Sequence, residues 1–158
     1  IAGSGGGGQG GSGGLIWIEA TSVNVGSNLA TPRGLFRLGS LYYRKDRIKS
    51  LKSKLKKRII KKNMGWCYDI KSKNYNKEIY FPFKYSAEKL YKKNTIYDIF
   101  INILYNQDPA IKGKGSAIFL HLADKKYKPT KGCIAILKKD FLKIIPIIKK
   151  NTKILIKE

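Results

Sequence analysis

The chain has 158 residues, room for one domain with a real core, and a hydrophobic content of 42% argues against wholesale disorder. Lysine and arginine number 33 against 10 acidic residues, a formal charge of +23 that favours anionic partners (nucleic acid, an anionic membrane surface or acidic cell-wall polymers) without choosing among them. No apolar stretch approaches the roughly 20 residues of a membrane-spanning helix, and two cysteines with one histidine make neither a disulfide-dense scaffold nor a four-ligand zinc site.

Residues 1–14, IAGSGGGGQGGSGG, carry almost nothing to bury and read as a flexible Gly/Ser-rich tail ahead of a single domain at 15–158. They lack the Gly-Lys-Ser/Thr ending of a Walker A loop and the preceding strand of a dinucleotide fingerprint. The chain starts at Ile1, its only methionine is Met64 and no signal peptide is visible, so a processed, trimmed or incomplete product is expected. Residues 15–25 are β-prone and predict one or two short strands. In residues 31–43, TPRGLFRLGSLYY, a Pro/Gly turn leads into a strand. Arg33, at that turn, is either a contact for a substrate carboxylate or a solvated turn residue.

Residues 44–62 hold eleven basic side chains and one acid, Asp46, and Ile48, Leu51, Leu55 and Ile59 recur at helical spacing. The pattern predicts an amphipathic helix that covers the core or lies on a polyanion. Stacking aromatics and a recognised nucleic-acid module are absent, so no specific nucleic-acid partner is expected. Residues 63–85 read as a long loop rich in Gly, Asn, Asp and Pro. Within it Trp66 and Tyr75 are candidates to wall a cleft, and Asp69 and Asn74 to hydrogen-bond a substrate; aromatic anchors that pin a loop are the alternative. Residues 86–93, SAEKLYKK, predict a short helix with Ser86 as its N-cap and Glu88 in its first turn. A strand over 96–105, a turn at 106–109, a turn at 113–115 and a strand over 116–122 come next. Residues 138–149 predict a helix with Phe141, Leu142, Ile145 and Ile148 inward, kinked or divided by Pro146. The last strand is 152–157.

The chemistry concentrates between residues 113 and 137. His121 ends the apolar run SAIFLHLA, a polar segment with Pro129 breaks regular structure, and the chain returns through Thr130, Lys131 and Gly132 to Cys133, twelve residues after the histidine. Two core segments therefore present a base and a thiol from either side of one loop, as covalent catalysis by cysteine requires. The same residues also suit a strand-end histidine beside a cysteine that packs as a small hydrophobe. As a nucleophile Cys133 must be free, which argues against a permanent bond to Cys67.

At HLADKKYKPTKGCIAI the sequence resembles the L,D-transpeptidase (YkuD-like) catalytic domain, whose signature is a strand-end histidine, a variable stretch and Ser/Thr-His-Gly-Cys. TPRGLF at 31–36 is similar to the family's upstream Thr-Pro-x-Gly-x-Phe element, and GSAIFLH and MGWCYD…NYN look like a compact bacterial branch. The resemblance runs from residue 31 to the C-terminus. It implies a mainly β fold with a few helices, with the usual N-terminal strands replaced or eroded in residues 1–30. By the same resemblance His121 is the base, Cys133 the nucleophile, Thr130 the hydroxyl position and Gly132 the glycine. The motif's histidine is Lys131 here, the customary arginine soon after the cysteine is absent, and the histidine-to-cysteine spacing is short.

The activity that the resemblance implies is acyl transfer on peptidoglycan stem peptides, in the bacterial periplasm or cell envelope. A tetrapeptide donor loses its terminal D-alanine to a Cys133 thioester, which passes to the amine of another stem, or to water as an L,D-carboxypeptidase. His121 is expected to lower the thiol pKa and protonate the leaving amine, with the Gly132 and Cys133 N–H groups facing the oxyanion. A backbone carbonyl near Leu122 is implied to orient the imidazole, and Lys131, Arg33 and Lys128 are candidate carboxylate contacts. The chemistry needs no metal or organic cofactor. The competing readings are a noncatalytic cell-wall-binding protein and a basic nucleic-acid-binding protein.

Overall fold

The structure is a computed structural model that describes residues 15–17, 31–124 and 130–157. The expectations for 1–14, for most of 15–25 and for Lys128 lie outside those residues. The described chain is mostly β and sparsely helical. A sheet is built from β1 (Leu15–Trp17), β2 (Gly34–Tyr43), β3 (Lys57–Ile59), β7 (Ile99–Ile103), β8 (Phe119–Leu122), β9 (Ile134–Ile136) and β10 (Lys153–Ile156). Its order is β1-β10-β2-β7-β8-β9, with β3 also paired to β2. A second sheet of β5 (Glu78–Tyr80), β4 (Met64–Cys67) and β6 (Ala87–Lys89) stands apart in that order.

Strand alternation divides the core between the two faces of the large sheet. Leu41, Ile101, Leu120 and Ile154 point to one face, where helix α1 (Lys138–Ile144) and the turn after it add Phe141, Ile145 and Ile148. Their neighbours Tyr42, Phe100 and Phe119 point to the other face, where the small sheet brings Met64 and Trp66 and the connection around it brings Leu90 and Tyr97. The second layer is aromatic: Tyr42 and Phe100 stack at 4.7 Å, and Trp66 meets Phe119 edge-on at 5.2 Å. A polar knot ties it to the large sheet, Arg58 donating to Glu78 at 2.5 Å and the Tyr42 hydroxyl donating to the same carboxylate at 2.9 Å.

Four sequence expectations are corrected. Residues 44–62 form no helix: a turn at 45–47 is followed by extended chain that ends in β3, parallel to β2. Ile48 and Leu55 are still buried, but Ile59 is 43% exposed and Ile60 goes inward instead. Like charges four apart, such as Lys45/Lys49 and Lys52/Lys56, weaken a helix here. The free edge of β2 offers better partners, Leu41 N–H donating to Lys56 O and Ile60 N–H to Tyr43 O, both at 2.9 Å. Residues 86–93 also form no helix, because β6 adds to the edge of β4 with Glu88 opposite Trp66. Residues 63–85 are not one loop, since they contain β4 and β5. The helix expected over 138–149 is also shorter: α1 stops at Ile144, since Pro146 removes the N–H that would bond Leu142 O, and Leu142, expected inward, is 40% exposed.

Candidate active site

β8 pairs antiparallel with β7, His121 opposite Phe100, and parallel with β9, Leu120 opposite Ile134. Phe119 and His121 therefore share the aromatic face. Cys133 sits one residue ahead of β9 and packs on that same aromatic layer. Its thiol donates to Ala117 O at 3.2 Å and accepts the Phe119 N–H at 3.4 Å. The register makes His121 and Cys133 diagonal neighbours on adjacent strands, with α-carbons roughly 8 Å apart from strand spacing and rise. Gly132 delivers the cysteine from a left-handed turn, φ +88°, a conformation that favours glycine. The Thr130 hydroxyl donates to Cys133 O and pins the other side of the turn.

The imidazole is 6% exposed, and its Nδ1 lies 2.8 Å from Leu122 O. A carbonyl only accepts, so Nδ1 carries the proton and Nε2 is the basic nitrogen. Tyr97 stands edge-on to the ring at 5.5 Å. Burial pushes the His121 pKa below its usual value, against the Leu122 hydrogen bond and the Glu88 carboxylate, which raise it, while the Lys92 ammonium lowers it further. Burial likewise pushes the Cys133 thiol up to about 12, against the Phe119 N–H, with Glu88 adding to the rise. The expected lowering of the thiol pKa is thus reversed, because desolvation outweighs every polar contact the thiol makes. Both groups rest neutral.

Three side chains that the sequence did not single out as site candidates belong to this neighbourhood. Asn76, buried and at φ +56°, accepts from Trp66 Nε1 at 2.9 Å and from Ala117 N–H at 3.0 Å, and donates to Tyr105 O and Asn106 O at 3.0 and 2.7 Å. It thereby holds Ala117, itself at φ +55°, against the cysteine. Glu88 and Lys92 pair at 2.6 Å, and the Lys92 ammonium lies 5.2 Å from the Tyr97 ring centre. Burial, Cys133 and Glu88 together push the Tyr97 phenol well above its usual pKa. In the sequence Glu88 looks like a residue of a helix's first turn; only the strand register turns it towards the site.

Not all the predicted residues gather here. Trp66 is buried beneath Phe119 as part of the aromatic layer. Tyr75 is buried outside both core clusters. Lys131 is exposed on the turn beside Gly132. Arg33 precedes β2, six residues from Gly39, which lies against Asn102 at the level of Phe119; that is roughly 20 Å along the strand from Cys133. Asp69 spends its carboxylate on the backbone N–H groups of Lys71 and Ser86, which hold its pKa below the usual range, and Asn74 N–H is taken by the Ser72 hydroxyl. Cys67 and Cys133 are both free thiols. Among the described residues no three His, Cys, Asp or Glu side chains gather as metal ligands.

The model of the YkuD family, the L,D-transpeptidase catalytic domain, matches residues 11–156. The chain belongs to that family. Its chemistry is accordingly of the L,D-transpeptidase type, and the mostly β architecture described above is that of the YkuD catalytic domain. No curated protein and no solved structure matches the chain at a significant level. Among the described residues of this YkuD protein, no helix is long and apolar enough to cross a membrane.

Proposed function

We propose that this YkuD protein remodels peptidoglycan by acyl transfer through Cys133, with His121 as the base and a tetrapeptide stem as the donor. The observation that carries the reading is a neutral imidazole, protonated on Nδ1 by its bond to Leu122 O, sharing one sheet face with a free thiol just ahead of the next strand. In the first step the thiol turns from Ala117 O towards Nε2, its proton moves to the imidazole and sulfur adds to the carbonyl carbon. The C–N bond then breaks, the imidazolium proton goes to the departing D-alanine amine, and a thioester remains. In the second step an acceptor amine adds, gives its proton to His121 and displaces the sulfur, which recovers the proton. Water in place of the amine gives L,D-carboxypeptidase activity. The N–H groups of Gly132 and Cys133 are assigned to the oxyanion, where removing one such donor costs about 2.7–4 kcal/mol in a serine protease. Thr130 fixes the turn, and Lys131 and Arg33 are assigned at most to outer, carboxylate-bearing parts of a long substrate.

A thiol held at about 12 and half-buried also fits a noncatalytic wall-binding protein on the same fold. The two readings separate when the full chain is incubated with a purified tetrapeptide muropeptide and analysed by mass spectrometry. Catalysis gives a thioester on Cys133, free D-alanine and a cross-linked dimer or a tripeptide. Cys133→Ala abolishes all of them, and His121→Ala sharply reduces acylation. Product formation by Cys133→Ala at the wild-type rate overturns the proposal. An acceptor that sits in the periplasm or envelope matches the charge of +23, which draws the protein to an anionic sacculus.

A further inference from the structure

The most exposed large apolar side chain among the described residues lies on the side of the large sheet away from the thiol. Ile147, in the turn after α1, is 64% exposed, and Leu142 on α1 is 40% exposed. Pro146 between them is exposed as well, while Phe141, Ile145 and Ile148 turn inward and are buried. The backbone that presents this tip is tied down. The N–H groups of Ile147 and Ile148 donate to Ile144 O at 3.1 and 3.2 Å, and Lys149 N–H donates to the buried Thr152 hydroxyl at 2.9 Å. Lys139, Lys143, Lys149 and Lys150 flank the tip and are all exposed, and Asp140 is the only acid in residues 138–150. Among the described residues none of these four lysines is in an ion pair.

We propose that α1 and the turn after it dock the protein on an anionic phospholipid surface, with Leu142 and Ile147 entering the headgroup boundary and the four lysines taking lipid phosphates. A fixed apolar tip flanked by lysines complements such a boundary on both counts, acyl chains behind and negative charge in front. The lysine stems cover apolar surface beside the tip while their ammonium groups reach the phosphates. A second copy fits poorly, because a two-fold contact sets lysines against lysines. An acidic wall polymer uses the lysines and leaves Ile147 in water. Cys133 and His121 lie on the aromatic face of the large sheet, opposite the face that α1 covers, so the docked protein turns its site away from the lipid. Docking of this kind uses no residue of the site and does not depend on the acyl-transfer reading.

The test is co-sedimentation of the full chain with vesicles at physiological ionic strength, using phosphatidylcholine alone or mixed in equal parts with phosphatidylglycerol. The wild type is expected to bind the mixed vesicles at least about tenfold tighter than the neutral ones. Changing Lys139, Lys143, Lys149 and Lys150 together to glutamine is expected to weaken that binding by roughly tenfold or more. The same change at Lys45, Lys49, Lys52 and Lys54, on the other basic stretch, should weaken it by less than about threefold, the effect of net charge alone. Ile147→Ser removes a side chain that stands mostly in water, so the thermal midpoint should hold while vesicle affinity falls about fivefold to tenfold. Equal losses from the two lysine sets, with Ile147→Ser unchanged, would reduce the binding to unspecific attraction and overturn the proposal. Failure of the wild type to prefer the mixed vesicles overturns it without recourse to any variant. Without vesicle binding, retention on insoluble peptidoglycan through Lys139, Lys143, Lys149 and Lys150 gives this face to a wall polymer. A concentration-dependent dimer that Ile147→Ser dissolves gives it to a second copy. Either result ends the lipid assignment.

Discussion

A thiol and an imidazole that both rest neutral set a definite pH behaviour at the level of single residues. The thiolate of Cys133 is scarce at neutral pH, so its alkylation by iodoacetamide is expected to rise about tenfold per pH unit from about pH 7 to about pH 10, with no plateau. A plateau near neutrality, the mark of a preformed thiolate–imidazolium pair, contradicts that account. The same shifts act on stability. The raised Cys133 pKa adds stability that is whole below the unfolded thiol value of about 8.5 and lost as pH climbs towards about 12. The depressed His121 pKa adds stability present above about 6.5 and lost as pH falls through its lower folded value. Thermal midpoints measured against pH should therefore be flat between these limits. His121→Gln should flatten the acid side above the carboxylate range, and Cys133→Ser the alkaline side up to about pH 10, above which the raised Tyr42 and Tyr97 phenols also act. Asn76 makes a sharper case. It satisfies four partners at once, the buried Trp66 indole among them, so Asn76→Ala should cost ~3 kcal/mol in denaturant unfolding and slow Cys133 acylation by loosening Ala117. Asn76→Gly, which keeps the positive φ but loses the amide, should cost nearly as much; a near-neutral Gly variant would mean that the backbone, not the amide, holds Ala117.

At the scale of elements, the site depends on a connection with little regular structure. Arg44 is 3% exposed; it grips Asp46 through two bonds of 2.8 and 2.6 Å, lies 3.4 Å over the Tyr91 ring and donates to Lys92 O. Arg44→Met keeps most of the volume and deletes those contacts. Hydrogen exchange should then speed up at the amides of 90–98 while β2 and β7 stay protected, and faster exchange spread evenly over the sheet would deny Arg44 a local role. This connection also marks where the sequence stopped being legible. The strands that pair along continuous apolar runs, β7 and β8, were readable because both faces of the sheet are covered and every residue of IFINI and FLHL is buried. The turn that delivers Cys133 was readable from Gly132 and the motif itself. Residues 44–62 and 86–93 were not, because helical spacing of apolar residues also arises when an extended chain dips into a core at Ile48 and Leu55. Their fate was decided by the open edges of β2 and β4, which local sequence does not describe. The same blindness hid the roles of Asn76, whose partners lie 10 to 41 residues away, and of Glu88, which the strand register sets opposite Trp66.

For the whole molecule, the large sheet separates two jobs. One face, aliphatic and closed by α1, supplies stability; the other, aromatic and roofed by the small sheet, carries the thiol and the imidazole. Part of the charge sits elsewhere. Lys45, Lys49, Lys52, Lys54, Lys61 and Lys62 are all exposed on the extended stretch that runs beside β2, at the far side of the sheet from β9. Two arginines of that stretch are committed to internal ion pairs, Arg47 with Asp98 and Arg58 with Glu78, whose carboxylates are largely buried. A share of the attraction to a polyanion therefore falls to lysines that touch neither Cys133 nor His121, and retention should separate from chemistry. Replacing four of these lysines by glutamine should weaken co-sedimentation with insoluble peptidoglycan and flatten its salt dependence, because exposed charges are screened within about 8 Å at physiological ionic strength. Acylation of Cys133 by a small soluble tetrapeptide should stay within about twofold of wild type, since removing solvated lysines leaves the buried contacts of the site intact. A parallel loss of both would mean that the basic stretch forms part of the substrate path, and the division of labour between the two sides of the sheet would have to be abandoned.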